Sequence, residues 1–397
     1  MKILQIHNKY LERGGEDTVV INERLLFQQN GHEVVLCEFD NQDLEGISKI
    51  AIFCKTIFNI KSYKKVIKDI ETHKPDIVHI HNVFYTASPA IFFALKNKNI
   101  PAVMTIHNYR FGCIQGLLYR DKANCQLCLD KKSGFSGIKY KCFKGSYLKS
   151  LQLSLVNSAQ KLAMRYSNPV KKYIFLAEFN KKLLSPVLSI SEHEGVIKSN
   201  SVKDCGYSPF EGREDFYLFV GRMNEEKGLK LLVNIFIKNK KNLEIIGAGS
   251  LEDFVNETAK NHPNIYYQGY KDNAFIIDRL KKSKGLIVPS LTYEGQPMTI
   301  LEAFSTGTPV FATNTKNLDT IITHGKNGFL FEPSNPDIVF DNLDALNEKS
   351  VYLNARKTFQ EKYSPESNYQ QLMHIYESVI PVYKNPVTNK YKLLQFD

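Results

Sequence analysis

The sequence predicts an α/β protein made of two Rossmann-like halves, and three observations carry that prediction. Short β-rich runs alternate with helical stretches, as parallel βαβ units do. The alternation stops across residues 199–214, where Asn200, Gly206, Pro209 and Gly212 interrupt any periodicity, and then begins again. The chain of 397 residues is too long for one ordinary domain and comfortable for two.

The first half opens with a strand over Lys2–His7, a loop over Lys9–Asp17 and a helix from Thr18 to Asn30, ended by Gly31. Further strands are expected at Glu33–Glu38, Asp76–His81, Ala102–His107 and Tyr173–Leu176. Between them, residues 52–70 mix Ile52, Phe53, Ile57, Phe58 and Ile60 with Lys55, Lys61, Lys64, Lys65 and Lys68. A helix there is basic and amphipathic. It suits a membrane surface, and equally packing on its own domain with the lysine stems snorkelling. The second half repeats the pattern with strands at Phe216–Val220, Leu243–Ile246, Ile265–Gln268, Gly285–Val288 and Pro309–Ala312. Pro365–Val382 reads as a last helix, with Tyr369, Leu372, Met373, Tyr376 and Val379 on one face. The predicted division is therefore 1–205, 206–364 and 365–397.

Composition bounds the function. Hydrophobic residues make up 43% and aromatic residues 12%, enough for real cores and against disorder. No apolar run approaches the ~20 residues that span a bilayer. The opening Met-Lys-Ile-Leu-Gln-Ile-His lacks the apolar stretch of a secretory signal, so a cytoplasmic location is expected. The net charge of +11 is uneven: residues 1–205 carry 30 Lys and Arg against 18 Asp and Glu, and residues 206–397 carry 22 against 23. Nucleic acid, anionic lipid headgroups or a phosphorylated acceptor would each fit such a half. A well-solvated lysine-rich surface explains it as well.

The most chemically specific stretch is Glu294-Gly-Gln-Pro-Met-Thr-Ile-Leu-Glu302. Gly295 and Pro297 break regular structure, and Thr299 reads as an N-cap for the apolar run that follows. One carboxylate thus sits on a loop and the other in a first helical turn. An acid at a helix start can simply complement the macrodipole, which covers Glu302 but not Glu294. Upstream, Gly221-Arg222-Met-Asn-Glu-Glu-Lys227-Gly228 ends a strand, where open α/β sheets bind ligands. Arg holds phosphate oxygens in a bidentate fork and Lys supplies a point charge. Carboxylates for hydroxyls beside cations for a diphosphate describe a nucleotide-sugar site. Gly247 and Gly249 follow another strand; without a third glycine at the Rossmann spacing they read as backbone approaching a ligand at a helix N-terminus. Gly14 and Gly15, after the first strand, either let the backbone approach a bound group or make a tight βα turn.

These motifs resemble the family-four retaining glycosyltransferases, which have the GT-B fold: two Rossmann-like domains facing across a cleft, with a C-terminal helix returning to the first. The likeness is strongest across Gly221–Phe311. It implies that Arg222 and Lys227 neutralise the departing diphosphate, that Glu294 contacts the donor sugar near its reacting carbon, and that Glu302 takes the ribose hydroxyls. It implies that the loop with Gly14 and Gly15 closes over the donor phosphates and the acceptor. His107, at a strand end, would lie beside the transferred sugar, and Gly269 and Tyr270 near the base. The implied partners are a nucleotide-diphosphate sugar (UDP- or GDP-) and a glycan or lipid-linked acceptor, with no nucleic acid; peripheral contact with an anionic membrane is an expectation from the basic first half and its amphipathic segment. The glycine pair that many members carry after the strand following the second glutamate is replaced by Thr313-Asn-Thr-Lys316-Asn317. No Asp-x-Asp occurs, so no catalytic metal is expected.

Cys113, Cys125, Cys128 and Cys142 fall within 30 residues in a segment rich in Gly and Lys, residues 110–145. The spacing allows tetrahedral thiolate coordination of structural zinc; an iron–sulfur cluster is the alternative, and disulfides do not suit a reducing cytosol. A zinc-dependent nucleic-acid binder would use the basic half and the cysteines but leave Glu294 and Glu302 unexplained. A phosphorylase needs a lysine-bound pyridoxal site with no clear candidate. A catalytically inactive scaffold would keep the fold alone.

Overall fold

A computed structural model describes residues 1–11, 14–334 and 348–380. Residues 12–13 of the expected first loop and 381–397 of the expected terminal segment lie outside the described residues. The first half holds β1 (Lys2–Lys9), β2 (Glu33–Asp40), β3 (Ile77–Ile80), β4 (Ala102–Ile106), a short hairpin of β5 (Tyr119–Arg120) and β6 (Ala123–Asn124), β7 (Val170–Phe175) and β8 (Gly195–Ile197). The second holds β9 (Tyr217–Val220), β10 (Leu243–Ile246), β11 (Ile265–Gly269), β12 (Gly285–Val288), β13 (Val310–Thr313) and β14 (Gly328–Phe331). Two six-stranded sheets result, ordered β2-β1-β3-β4-β7-β8 and β11-β10-β9-β12-β13-β14. Every pairing within them is parallel.

The apolar runs explain this arrangement. Ile3, Leu4, Ile6, Ile77, Val78, Ile80, Leu286 and Ile287 are fully or almost fully buried, as strands covered by helices on both faces must be. Strand order reverses between β1 and β3 in one sheet and between β9 and β12 in the other. The carboxyl ends at such switch points form the crevice where doubly wound folds bind ligands. His81 and Asn82 follow β3, Gly221 and Arg222 follow β9, and the loop to Glu294 follows β12.

The helix Pro365–Glu377 returns to the first domain. Its Leu372, Met373, Ile375 and Tyr376 pack with Ile3, Phe27, Val34 and Ile77, while the preceding Phe359 and Tyr363 stay in the second domain's core. Each fully buried apolar side chain of this kind is worth ~1.5–3 kcal/mol. Tyr376 adds a hydrogen bond from or to His79 Nδ1 at 2.7 Å, and Tyr369 pairs with His32 Nε2 at 2.8 Å.

Three local expectations are corrected. The basic segment forms two helices, Lys49–Ile57 and Ile60–His73, rather than one. Phe58 is extended, and Asn59 caps the second helix by accepting the Lys61 N–H at 3.1 Å. The helix expected to be capped by Thr299 begins at Met298, because the Pro297 carbonyl already accepts the Ile300 N–H at 3.1 Å. The first helix starts at Gly15 instead of Thr18, since Asp17 turns back to take the Gly14 N–H at 2.7 Å. β8, β14 and the hairpin were not anticipated; each is short. Among the described residues no helix is long and apolar enough to cross a membrane.

Candidate active site

On the second domain's side, the loop after β9 is stitched to the loop after β12. Gly228 has φ +70°, and a Cβ there would sit 1.9 Å from the Pro289 carbonyl oxygen, so only glycine allows this approach. The Leu291 N–H donates to the Glu226 carbonyl at 2.9 Å. The stitching brings Lys227 Nζ to 2.6 Å from Glu294 Oε1, and the Ser290 hydroxyl donates to the same oxygen. Burial alone would raise the Glu294 carboxyl. The Lys227 charge, the bonds from Lys227 and Ser290, and the Arg222 charge outweigh it and leave the group below the ordinary value. Glu294 is held ionised. Arg222 is exposed at the strand end. Asn317, in the run Thr313–Asn317 at the end of β13, donates from Nδ2 to the Glu294 and Gly295 carbonyls. It fixes the loop that carries the carboxylate.

Glu302 sits in the helix Met298–Thr306 and receives the Asn273 Nδ2 bond at 2.8 Å. Burial raises its pKa to about 7, against the Asn273 bond and the Lys203 charge. Gly247 and Gly249 serve the backbone: added Cβ atoms would lie 1.9 Å from the Gly221 oxygen and 2.7 Å from the Met223 oxygen. The Gly247 N–H is taken by the Gly269 carbonyl at 3.0 Å. Gly269 turns the chain with φ +72°, and Tyr270 beyond it is 81% exposed.

The facing side is built from three strand ends of the first domain. Glu16, directly after Gly14 and Gly15, receives Asn82 Nδ2 at 2.9 Å on one oxygen and Asn108 Nδ2 at 3.2 Å on the other. Arg110 stands nearby, donating from Nη1 to Tyr85 OH at 2.8 Å and stacking over the Tyr10 ring at 4.8 Å. Burial and then the Asp17 charge raise Glu16 to about 8, while Arg110 and Asn108 oppose them. The two sides meet. Tyr109 OH donates to the Glu294 carbonyl at 3.2 Å, and a Cβ on Gly295 would come 2.9 Å from the His107 carbonyl oxygen. A Cβ on Gly15 would come 3.2 Å from Met298 Cγ, whereas Gly14 has open space around it.

Residues 207–363 match the family described as Glycosyl transferases group 1, and residues 13–127 match Glycosyltransferase Family 4. Together these matches span more than half of the chain. It belongs to this glycosyltransferase family. An uncharacterized glycosyltransferase of Methanocaldococcus jannaschii is 24% identical over 88% of this chain and 90% of its own length. The poly(ribitol-phosphate) alpha-N-acetylglucosaminyltransferase of Staphylococcus aureus is 25% identical over 55% of this chain and 46% of its own length. The crystal structure of Anabaena HepE in complex with UDP superposes with a TM-score of 0.64, at 16% identity, covering 95% of this chain and 100% of that one. The fold is GT-B.

Behind the cleft, the glycosyltransferase buries a chain of polar groups. His107 Nε2 lies 3.1 Å from His81 Nδ1, and His81 Nε2 lies 3.6 Å from Glu23 Oε2. Glu23 pairs with Lys198 at 2.6 Å, their side chains 2% and 0% exposed. Burial, and then neighbouring histidine and Lys198 charges, keep His81 and His107 well below the ordinary value, so both are neutral near pH 7. Glu23, His79 and His81 bring three ligand atoms within 4.8 Å of one another. A cation does not fit: both His79 nitrogens are engaged, by Tyr376 OH and Thr105 Oγ1, and Lys198 already balances Glu23. The chain orients His107 from behind.

Sequence reasoning placed Arg222, Lys227, Glu294 and His107 around one cleft, and the structure brings them to it. It did not single out Ser290, Asn317, Glu16, Asn82, Asn108 or Arg110. Asn317 lay in the run Thr313–Asn317 named above, and Glu16 and Asn108 directly follow Gly15 and His107, so a charged or amide side chain beside a strand end was the available signal. Arg110 and Asn82 carried none, because their relation to Glu16 exists only in the folded sheet.

Proposed function

We propose that this glycosyltransferase transfers a sugar, with retention, from a UDP- or GDP-sugar to a hydroxyl of a glycan or lipid-linked acceptor in surface polysaccharide synthesis. The observation that carries the reading is the Lys227–Glu294 pair at 2.6 Å, with Arg222 beside it and His107 opposite. A diphosphate at the ends of β9 and β12 meets Arg222 and Lys227, whose charges stabilise the leaving group as its bond to the sugar's anomeric carbon breaks. The acceptor oxygen bonds to that carbon on the same face, and its proton passes to the departing phosphate oxygen. Glu294, kept ionised, accepts hydroxyl hydrogen bonds from the sugar, and Glu302 accepts those of the ribose. No divalent cation is required at the reacting centre, because the two cations supply the charge. UDP in HepE supports a uridine donor.

The acceptor side is read from Glu16, Asn82, Asn108 and Arg110, a set of donors and acceptors for a polyhydroxylated chain. The poly(ribitol-phosphate) acceptor named for the staphylococcal relative is polyanionic, in keeping with the basic first half. Membrane contact belongs to the same reading. Helices Lys49–Ile57 and Tyr147–Ser167 lie side by side. They leave Ile50 78% and Leu148 79% exposed, with Phe53, Leu151 and Leu155 also uncovered and Lys49, Lys55, Lys144 and Lys149 close in sequence. Exposed apolar side chains with lysines close to them in sequence suit an anionic lipid surface. Co-sedimentation with phosphatidylglycerol vesicles but not with phosphatidylcholine vesicles is expected, and Ile50→Asp with Leu148→Asp should abolish it.

Thermal unfolding with a panel of nucleotide diphosphates tests the donor reading. A ligand at 100 times its Kd stabilises its site by ~2.7 kcal/mol, a shift of roughly 5–10 °C for a domain of this size. A shift with UDP alone names the donor class. No shift with any nucleotide at millimolar concentration would leave the inactive scaffold as the better description.

A further inference from the structure

We propose that Cys113, Cys125, Cys128 and Cys142 bind one zinc ion, and that this centre braces the loop carrying Glu294. All four side chains line one cavity of about 20 Å³, room for one ion or one water. None is in a disulfide, and each is partly buried. The module around them has few apolar residues of its own: Phe111, Ile114, Leu118 and Leu129 are its buried ones. A segment this small needs a further source of cohesion, which a metal supplies. The backbone is already shaped for it. Asp121 and Lys122 take φ +51° and +61° at the tip of the β5–β6 hairpin, the two left-handed residues of a type I′ turn. That turn sets Cys125 against the helix that carries Cys128.

The surroundings suit a tetrathiolate. Zinc with four cysteine thiolates carries a formal charge of −2, with four protons released on binding. Arg120 lines the same cavity, and its Nε is buried without a hydrogen-bond partner. Lys131, Lys132, Lys139, Lys141 and Lys144 fill the same segment. Among the described residues, only Glu23, His79 and His81 bring three ligand atoms within 4.8 Å of one another. The four sulfurs therefore surround the cavity without having closed on one point.

The module touches the donor loop directly. The Leu117 carbonyl accepts the Thr292 hydroxyl at 2.6 Å, and Gln126 Nε2 donates to Tyr293 OH at 3.3 Å. Leu117 lies between Cys113 and Cys125, Gln126 between Cys125 and Cys128. Thr292 and Tyr293 immediately precede Glu294. The bracing role rests on the donor-site reading above; the zinc site does not.

Metal analysis of the full chain, purified without chelators from zinc-supplemented medium, is expected to find about one zinc per chain. Cys125→Ser with Cys128→Ser should lower this at least five-fold and weaken UDP binding by calorimetry about ten-fold. The single Cys54→Ser variant, outside the cluster, should change neither. Zinc below half an equivalent overturns the site, as does a visible iron–sulfur absorption band or a mass loss from two disulfides. Stoichiometric zinc in the parent protein, with UDP affinity unchanged in a folded Cys125→Ser, Cys128→Ser protein that has lost the metal, overturns the bracing role alone. Because metal content is read without any nucleotide, failure of the donor reading leaves the zinc result interpretable.

Discussion

The two faces of the cleft solve the same problem, holding a polar ligand between domains, with opposite materials. The donor face uses full charges at loop tips: Arg222 is exposed, and Lys227 and Glu294 are joined at 2.6 Å. The acceptor face surrounds one acid, Glu16, with amides from Asn82 and Asn108 at 2.9 and 3.2 Å and one cation, Arg110, held against Tyr85 and Tyr10. The lesson is electrostatic. In the proposed reaction the donor face receives the leaving group's negative charge, and there the cations stand beside a carboxylate that is kept ionised. Where hydroxyls have only to be positioned, the acid is left close to neutrality, with Glu16 raised to about 8.

The largest test of that contrast is Lys227→Ala. Removing a preorganised charge that acts on the leaving group lowers kcat by ~10²–10³. Single-turnover kinetics with saturating donor and acceptor measure it. An unchanged rate would remove Lys227 from the chemistry and make its bond to Glu294 merely structural.

The same contrast explains what the sequence disclosed. Parallel strands with both faces buried are continuous apolar runs, so most of the β-strands and the duplicated architecture could be read directly. The donor face could be read because its charges sit in Gly- and Pro-broken loops at strand ends, where no fold-stabilising role competes. The acceptor face was hidden. Glu16, Asn82 and Asn108 lie far apart in the chain, and only the β1-β3-β4 order brings them together. The Thr299 cap failed for a local reason: Pro297, with its fixed φ, starts the helix two residues earlier than the hydroxyl signal indicates.

The next effect is a pH dependence within the donor face, where Glu302, unlike Glu294, is left raised by burial. Glu302 titrates at about 7 instead of 4.5, chiefly through burial. In the proposed role Glu302 accepts the ribose hydroxyls as the carboxylate, so UDP affinity measured by calorimetry should weaken ~10-fold from pH 8 to pH 6. Folding stability moves the other way. The folded pKa is above the unfolded one, so this group's contribution is present below pH 4.5 and is lost as pH rises through about 7. Glu302→Gln should flatten both dependences. If affinity keeps its full pH slope in that variant, Glu302 is not the titrating contact.

On the acceptor face, Glu16→Ala leaves two amide donors unpaired and should raise the acceptor KM about five-fold, the worth of ~1 kcal/mol in hydrogen bonding. Glu16→Gln, which keeps one of the two acceptor oxygens, should recover about half of that loss. Calorimetry should find UDP affinity unchanged in both variants. A change in UDP affinity equal to that in acceptor KM would show that the acid serves the donor instead, and the contrast between the faces would fail.

The smallest effect concerns the two adjacent glycines, whose sequence allowed either a ligand-facing backbone or a simple turn. Gly14 has φ −127°, which any residue adopts, and nothing stands within 4 Å of an added Cβ. Gly14→Ala should therefore hold or gain stability, by up to ~1 kcal/mol through the less flexible unfolded chain. Gly15→Ala meets Met298 Cγ at 3.2 Å across the domain boundary. Met298 is a flexible side chain, so the loss should be under ~1 kcal/mol in thermal unfolding. Activity then decides between the readings. Turnover of Gly14→Ala within two-fold of the parent identifies a turn, as its open surroundings predict. A ten-fold fall at unchanged Tm would mean that the space beside Gly14 is filled by substrate during the reaction.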